Sequence, residues 1–264
     1  MQAEQFRGRL NRKDQRILLA RNQASRNPAQ VELPYLTQSV KLFLPRPLAS
    51  VVLQEAEMRK LTLLALLLLA GCADNKPSNL VVVGNSITIH GPAPTVGWYG
   101  DWGMAAPAAD KDFSHIVGAA LNVPVSVNNL GIESEPENSL PKIPILADKI
   151  GPGTAVILEL GDNAPFGDVA AFGSAYNQLA AAMSKANSLI CVSTFWHYQN
   201  VDDIIKHGCE THGGHYAYIG DIFTDPTNPD RQSTAYSDWM VNVHPHVWGH
   251  ARIAERVLRQ LQNR

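Results

Sequence analysis

One serine of this 264-residue chain lies where its hydroxyl could act as a nucleophile. Ser86 stands in the segment Gly-Asn-Ser-Ile-Thr at 84–88, immediately after the apolar run Leu-Val-Val-Val at 80–83. A short apolar run that ends at a glycine is typical of a buried parallel strand. A strand-to-helix turn here would expose the hydroxyl at the edge of the sheet, where backbone N–H groups can face a developing oxyanion. The segment also suits an ordinary turn that caps the residues after it.

Three further polar segments stand at the ends of predicted elements. Asn-Leu-Gly at 129–131 follows the second predicted strand, and Gly-Asp-Asn at 161–163 follows the third. Val-His-Pro at 243–245 precedes the last predicted helix and supplies His244, a residue type often used as a general base. Taken singly, the asparagine could form an Asx turn and the histidine could lie in a surface loop. Only their order and placement together favour a catalytic site.

The elements that position these segments alternate between strands and helices. Strands are predicted at 80–83, 123–130, 155–160, 189–193 and 216–219, and helices at 112–121, 168–186, 201–208 and around 253–261. Repeated β–α units predict a parallel sheet covered by helices on both faces, with the ligand site beyond the C-terminal ends of the strands. We therefore expect one domain over 80–264, with a three-layer α/β/α fold and a mostly parallel five-stranded sheet.

Together, the four segments resemble the sequence blocks of the SGNH hydrolases, also called the GDSL family, over about residues 79–264. This family contains esterases, lipases and carbohydrate deacetylases with a flavodoxin-like α/β fold. The resemblance implies that Ser86 is the nucleophile and His244 its base. It also implies an oxyanion hole made of the N–H groups of Ser86 and Gly131 and the side-chain amide of Asn163. The expected reaction moves an acyl group from an ester, through Ser86, to water, with no metal and no organic cofactor.

The chain departs from the family's pattern beside the two principal residues. Asn85 stands where an aspartate is usual, and Val241 stands where the family places the aspartate that orients the imidazole of His244. Loss of such an acid can lower the rate by orders of magnitude. A backbone carbonyl could hold the ring instead, or another acid could approach it; the candidates are Asp238, Glu133 and Glu135.

The loop after the serine supplies the few clues to a substrate. Residues 90–106 are rich in proline, glycine and aromatic side chains, among them Trp98 and Trp102. These indoles could stack on a sugar ring, or they could pack the loop onto the domain. The expected partner is therefore a small-molecule or glycan ester.

The residues before the domain carry the pattern of an export signal. Met-Arg-Lys at 58–60 precedes about ten apolar residues, a run too short to span a bilayer, and then Leu-Ala-Gly-Cys at 69–72. The last four residues resemble the lipobox of bacterial lipoproteins, which implies that Cys72 is lipidated and anchors the chain to a membrane. We expect a signal peptide at 58–71, a tether at 72–79, and a location in the cell envelope, at the periplasmic or outer-membrane face. Translation is expected to begin at Met58, which makes 1–57 a non-native, disordered extension.

Charge and cysteine content narrow the partners further. Residues 1–57 carry a net charge of +4, whereas 72–264 hold 11 Lys and Arg against 19 Asp and Glu, a net charge of −8. Nucleic acid is not an expected partner of this acidic domain, because phosphate binding relies on clustered basic residues. Cys191 and Cys209 either form a disulfide, if the domain is exported, or remain a buried strand residue and a helical thiol.

Two other functions fit parts of the sequence. The missing orienting acid would suit a glycan-binding lipoprotein that kept the fold and lost turnover. Cys209, His212 and His215 could bind a metal, although their spacing matches no common zinc site.

Overall fold

The computed structural model describes residues 76–231 and 233–262. The extension predicted at 1–57, the signal peptide predicted at 58–71 and the lipidation site Cys72 lie outside the described residues. The tether predicted at 72–79 ends one residue early, because Asn79 already belongs to the first strand and pairs with Thr154. The N–H group of Ser78 donates to the carbonyl of Gly153 (2.7 Å), in the turn before the third strand. Ser78 is therefore already hydrogen-bonded to the domain.

Five parallel strands form the sheet: β1 (Asn79–Gly84), β2 (Val125–Asn128), β3 (Thr154–Glu159), β4 (Ser188–Val192) and β5 (His215–Ala217). Their order across the sheet is β2-β1-β3-β4-β5, and each neighbouring pair is parallel. This is the flavodoxin-like order, in which a ligand site lies at the C-terminal edge where the strand order reverses. The predicted fold class is confirmed.

Helices cover both faces of the sheet: α1 (Phe113–Leu121), α2 (Pro136–Ser139), α3 (Lys142–Ala147), α4 (Val169–Met183), α5 (Gln199–Thr211), α6 (Trp239–Asn242) and α7 (Val247–Gln262). Residues of α1 and α7 pack on one face of β1, β3 and β4, and residues of α3, α4 and α5 pack on the other. The strands are apolar on both faces because each face is buried under a helical layer. Among the helices that the structure describes, none is long and apolar enough to cross a bilayer.

Aspartate caps fix where two of the long helices begin. The carboxylate of Asp112 accepts the N–H group of His115 (2.9 Å) at the start of α1. The carboxylate of Asp168 accepts the N–H groups of Ala170 and Ala171 (2.9 Å each) at the start of α4. Each cap satisfies backbone donors that a helix cannot pair internally.

Cys191 of β4 and Cys209 of α5 form a disulfide. Both residues are fully buried in the core between the sheet and α5. Of the two alternatives that the sequence leaves open, the structure contains the bond. It ties α5 covalently to a strand whose C-terminal end borders the candidate site.

Candidate active site

Ser86 and His244 meet at the C-terminal edge of the sheet. Ser86 lies in the turn after β1, where Asn85 Oδ1 accepts the N–H group of Ile87 (2.8 Å). The hydroxyl oxygen of Ser86 is 2.9 Å from Nε2 of His244, across 158 residues of sequence. The structure therefore brings the predicted nucleophile within hydrogen-bond distance of its predicted base.

The second ring nitrogen fixes the proton arrangement of His244. Nδ1 lies 2.7 Å from the carbonyl oxygen of Met240 in α6. A carbonyl can only accept, so the neutral ring carries its proton on Nδ1 and presents an unprotonated Nε2 to Ser86. This is the tautomer that accepts a proton from the serine hydroxyl.

The two acids predicted to orient His244 are engaged elsewhere. Asp238 caps α6, where its carboxylate accepts the N–H group of Met240 (2.7 Å). Glu133 is directed at Asn163 and Gly161, on the other side of the serine turn. Both predictions are wrong because each carboxylate satisfies local N–H donors. The third candidate, Glu135, pairs with the side chain of Asn138 (3.2 Å).

The position where the family has its orienting aspartate is occupied by a core residue. Val241 is buried in a small apolar cluster with Trp98, Met104 and Ala105. An ionised carboxylate in this cluster would be costly unless it were paired. The carbonyl of Met240 therefore takes the orienting position, which was one of the alternatives drawn from the sequence.

The surroundings of His244 favour the neutral ring. Burial lowers its pKa to about 4, and the nearby imidazoles of His90 and His246 also disfavour a positive charge. The hydrogen bond to Met240 acts in the opposite direction. Trp196 contacts the ring edge-on, with centroids 5.3 Å apart. The imidazole is thus free to accept a proton at neutral pH, but it is a weak base.

A second buried histidine anchors the segment beside Ser86. The N–H group of Phe113 donates to Nδ1 of His250 (3.3 Å), so Nε2 carries the proton and donates to the carbonyl of Met104 (3.2 Å). Met104 in turn donates its N–H group to the carbonyl of Ser86 (2.8 Å). Burial lowers the pKa of His250 to about 3, which keeps its imidazole neutral. Through these hydrogen bonds, His250 of α7 helps to fix the backbone of the serine turn.

The three predicted oxyanion donors differ in their availability. In the described part of the chain no acceptor is found for the N–H group of Ser86. Asn163 donates one side-chain N–H to Oε2 of Glu133 (3.0 Å), which leaves the second for a ligand. The N–H group of Gly131 is engaged, because it donates to Oδ1 of Asn129 (2.9 Å) within its own turn. Gly131 (φ 72°) can serve an oxyanion only when the exposed Asn129 side chain turns away.

Three buried carboxyl groups stand behind the serine turn: Glu133, Glu159 and Asp162. The side-chain nitrogen of Asn85 donates to Glu133 Oε1 and to Asp162 Oδ2, at 3.3 Å each. The hydroxyl of Thr88 donates to Glu159 Oε2 (2.8 Å). An aspartate at position 85 would bring another negative charge against two carboxyl groups. The asparagine that departs from the family's pattern is therefore the residue that this cluster requires.

Burial keeps part of this acid cluster protonated. It raises the pKa of Asp162 to about 7, an effect that the charge of Glu133 increases. Burial, together with the charges of Asp162 and Glu133, raises the pKa of Glu159 well above its usual value. Oε1 of Glu159 has no hydrogen-bond partner among the described residues. Burial therefore favours the neutral form of Glu159.

The tryptophans predicted to bind substrate pack within the loop at 90–106. Trp98 is only 2% exposed, and its indole N–H donates to the carbonyl of His90 (3.0 Å). Trp102 donates to the carbonyl of Ala106 (2.7 Å) and meets Trp98 edge-on. The prediction of a stacking surface is therefore wrong for the buried Trp98, whereas for the half-buried Trp102 it stays a prediction.

Other exposed aromatic residues stand close in sequence to the predicted site. Phe166, three residues after Asn163, is 64% exposed, and Trp239, five residues before His244, is 45% exposed. The sequence interpretation missed both. Their signal was their position: Phe166 ends the short helical turn that Asn163 caps, and Trp239 begins α6, which ends two residues before His244.

Cys209, the central ligand of the metal site considered at residues 207–215, is not available to bind a metal. The sulfur of Cys209 is in the disulfide, and Nε2 of His212 hydrogen-bonds to the side chain of Asn177 (3.0 Å). Within residues 76–231 and 233–262, no three His, Cys, Asp or Glu side chains are arranged to hold a metal ion.

Comparison with known proteins finds similarity among solved structures. No protein-family model matches the chain, and no curated protein matches its sequence. The psychrotrophic esterase EstA from Pseudoalteromonas sp. has 13% identity over 70% of this chain and 97% of its own, with a TM-score of 0.46. A member of the lipolytic G-D-S-L family from Veillonella parvula has 15% identity over 70% and 99%, with a TM-score of 0.42.

A third similar structure is an active-site mutant of a family two carbohydrate esterase from Clostridium thermocellum. It has 15% identity over 72% of this chain and 65% of its own, with a TM-score of 0.46. All three are described as esterases or lipolytic proteins, the class that the four sequence segments resemble. The identities and scores are too low to carry an activity from those proteins to this chain.

Proposed function

We propose that this chain is a serine ester hydrolase, an esterase or carbohydrate O-deacetylase, that forms an acyl-enzyme on Ser86. The observation that carries the proposal is the contact of 2.9 Å between Ser86 Oγ and His244 Nε2. It is supported by the carbonyl of Met240, which holds the imidazole in the tautomer able to accept a proton.

In the proposed reaction, His244 Nε2 removes the proton of Ser86 as Oγ attacks the ester carbonyl. The carbonyl π bond opens to an oxyanion, which accepts hydrogen bonds from the N–H group of Ser86 and the side-chain amide of Asn163. The imidazolium then protonates the departing alkoxide, and the C–O bond of the ester breaks. Water, deprotonated by the same imidazole, then attacks the acyl-serine to give a second oxyanion. As this collapses, the acyl–Oγ bond breaks, the imidazolium returns its proton to Ser86 Oγ, and the acid leaves.

The substitution Ser86→Ala tests this proposal. The S86A variant should lose hydrolysis of a short p-nitrophenyl ester and labelling by a fluorophosphonate probe, with an unchanged melting temperature. Ser174→Ala, an exposed change on α4, is the matched control and should behave as wild type. Unchanged turnover in S86A would reject Ser86 as the nucleophile. A wild-type protein that neither labels nor hydrolyses esters would favour the glycan-binding alternative.

A glycan ester is favoured by two exposed aromatic residues that are close in sequence to the site residues. Phe166 follows Asn163 by three residues and Trp239 precedes His244 by five, and aromatic faces are suited to sugar rings. The measurement is kcat/KM on an acetylated oligosaccharide relative to p-nitrophenyl acetate, in the wild type and in Trp239→Ala. A loss confined to the oligosaccharide would support a sugar-binding role. Equal losses on both substrates would contradict it.

We also propose that the domain is exported and held at the cell envelope through Cys72. The proposal is supported by the signal pattern at 58–72 and by the Cys191–Cys209 disulfide, since such bonds persist in oxidising compartments. The wild-type chain should incorporate labelled palmitate and sediment with membranes, whereas Cys72→Ala should do neither. Equal labelling of the two proteins would contradict the anchor.

A further inference from the structure

We infer that Glu133 is a positioning residue, whose carboxylate fixes the side-chain amide of Asn163 as a donor to the oxyanion. The inference rests on the proposed function and adds a residue to it. In the described part of the chain Glu133 hydrogen-bonds to Asn85, Gly161 and Asn163 and to neither Ser86 nor His244, so its role would be exerted through Asn163.

Both oxygens of this carboxylate face N–H donors of the site. Oε2 accepts the side-chain N–H of Asn163 (3.0 Å). Oε1 accepts the backbone N–H groups of Gly161 and of Asn163 (3.4 Å), and the side-chain N–H of Asn85 (3.3 Å). One carboxylate therefore joins the turn that holds Ser86 to the loop after β3 that holds Asn163.

The chemistry of a carboxylate decides which end of the Asn163 amide faces it. A carboxamide presents a donor end and an acceptor end of nearly the same shape, and an ionised carboxylate can only accept. Glu133 therefore draws the nitrogen of Asn163 toward itself and turns the oxygen away. Since that nitrogen has two hydrogens, one remains to donate to a substrate. A glutamine in the same place could donate as well as accept and would permit the reversed amide.

The burial of Glu133 is not explained by an ion pair. Its side chain is 5% exposed, and among the described residues no Lys or Arg forms a salt bridge with it. A buried charge is costly unless hydrogen bonds satisfy it, and here those bonds come from Asn85, Gly161 and Asn163. A neutral glutamine of the same size would serve as a structural link at lower cost. The N–H contacts of the Glu133 carboxyl group are therefore best explained by what they do to the Asn163 amide.

A double-mutant cycle tests the inference. Glu133→Gln should lower kcat on a p-nitrophenyl ester by about 10- to 100-fold, with KM within about threefold of wild type, because an oxyanion donor acts in the transition state. In an Asn163→Ala background the same E133Q change should lower kcat by less than about twofold, since no amide remains to be positioned. Glu135→Gln, an exposed change two residues away, is the control and should leave kcat unchanged.

Two outcomes would overturn the inference. E133Q could match E135Q in kcat, or it could lower kcat by the same factor with and without Asn163. If E133Q does not fold, Glu133→Asp, which keeps the charge on a shorter arm, replaces it in the same cycle with the same criteria. Failure of the proposed function would be seen without any Glu133 variant. In that case S86A would turn over esters as fast as wild type, or the fluorophosphonate probe would not label the wild type.

Discussion

The two sides of Ser86 are built in different ways. The imidazole side comprises His244, the carbonyl of Met240 and the ring of Trp196, and no carboxylate among residues 76–231 and 233–262 hydrogen-bonds to the imidazole. The amide side comprises Asn163, Gly161 and Glu133, and behind it lie the buried Asp162 and Glu159. Of the three acids that the sequence interpretation considered for the base, Glu133 stands instead behind the oxyanion donor Asn163. The buried carboxyl groups of the site thus orient N–H groups and do not strengthen the base.

Because of this difference, we expect the imidazole and the oxyanion donors to contribute unequally to catalysis. A histidine held by a carbonyl is correctly oriented but gains little stabilisation as it becomes an imidazolium. Donors fixed before the reaction need no reorganisation when negative charge develops. We therefore expect variants on the two sides to differ in kind: the imidazole side should govern pH dependence, and the amide side should govern kcat at fixed pH.

The largest expected effect is on the imidazole side. His244→Ala should lower kcat by about 10³- to 10⁴-fold, because the serine hydroxyl loses the proton acceptor positioned against it. His207→Ala, an exposed change on α5, is the control. The measurement is kcat for a p-nitrophenyl ester at pH 7.5. A loss below about tenfold would mean that another group acts as the base.

The second effect is on the amide side. Asn163→Ala should lower kcat by about 10²-fold with little change in KM, the usual cost of one oxyanion donor. Asn177→Ala, on the exposed face of α4, provides a matched asparagine. If N163A changed KM and left kcat intact, the amide would bind the ground state, and the comparison drawn between the two sides would fail.

The third effect is on stability. Asn85→Asp should lower the free energy of unfolding by about 3 kcal/mol at pH 8, because a further buried carboxylate faces Glu133 and Asp162 without a donor. The deficit should shrink toward pH 5 as buried carboxyl groups take up protons. Urea unfolding at the two pH values measures it, with Asn177→Asp as the exposed control. An equal deficit at both pH values would exclude charge repulsion as the cause.

The smallest effect is a displacement of the pH profile. Since burial lowers the pKa of His244 to about 4, the base stays unprotonated down to mildly acidic pH. Activity, as kcat/KM, should be flat from pH 8 to about 5 and fall only below, whereas an unperturbed histidine would lose activity near pH 6.5. An acid limb centred at 6.5 in a protein that is still folded would contradict the neutral, carbonyl-held imidazole.

The strands and long helices could be predicted because each carries a local pattern. The apolar run at 80–83 and the stripe from Val169 to Met183 need no knowledge of distant residues. The helices α2, α3 and α6 were missed because four to six residues are too few to show a helical period, and prolines interrupt the first two. The strand predicted at 123–130 was too long by several residues, since Pro124 offers no N–H group to a neighbour.

The candidate site could be predicted only in its principal residues. The pairing of Ser86 with His244 follows from the placement of both at strand and helix ends, which a parallel sheet brings together. The hydrogen bond between His244 and the carbonyl of Met240 could not be predicted from the sequence, because every residue type has the same backbone carbonyl. Asn85 contacts Glu133 and Asp162 of the acid cluster, 48 and 77 residues away along the chain. The one local signal of the cluster was Glu159, a charged residue in an otherwise apolar strand. Trp98 was misassigned because exposure depends on tertiary packing.

The common direction of the five strands also sets where the chain enters the domain. Residue 79 opens β1 at one pole of the sheet, and Ser86 follows the other end of the same strand, about 20 Å away for six residues. The segment that leads from the proposed anchor at Cys72 therefore joins the domain at the pole opposite Ser86.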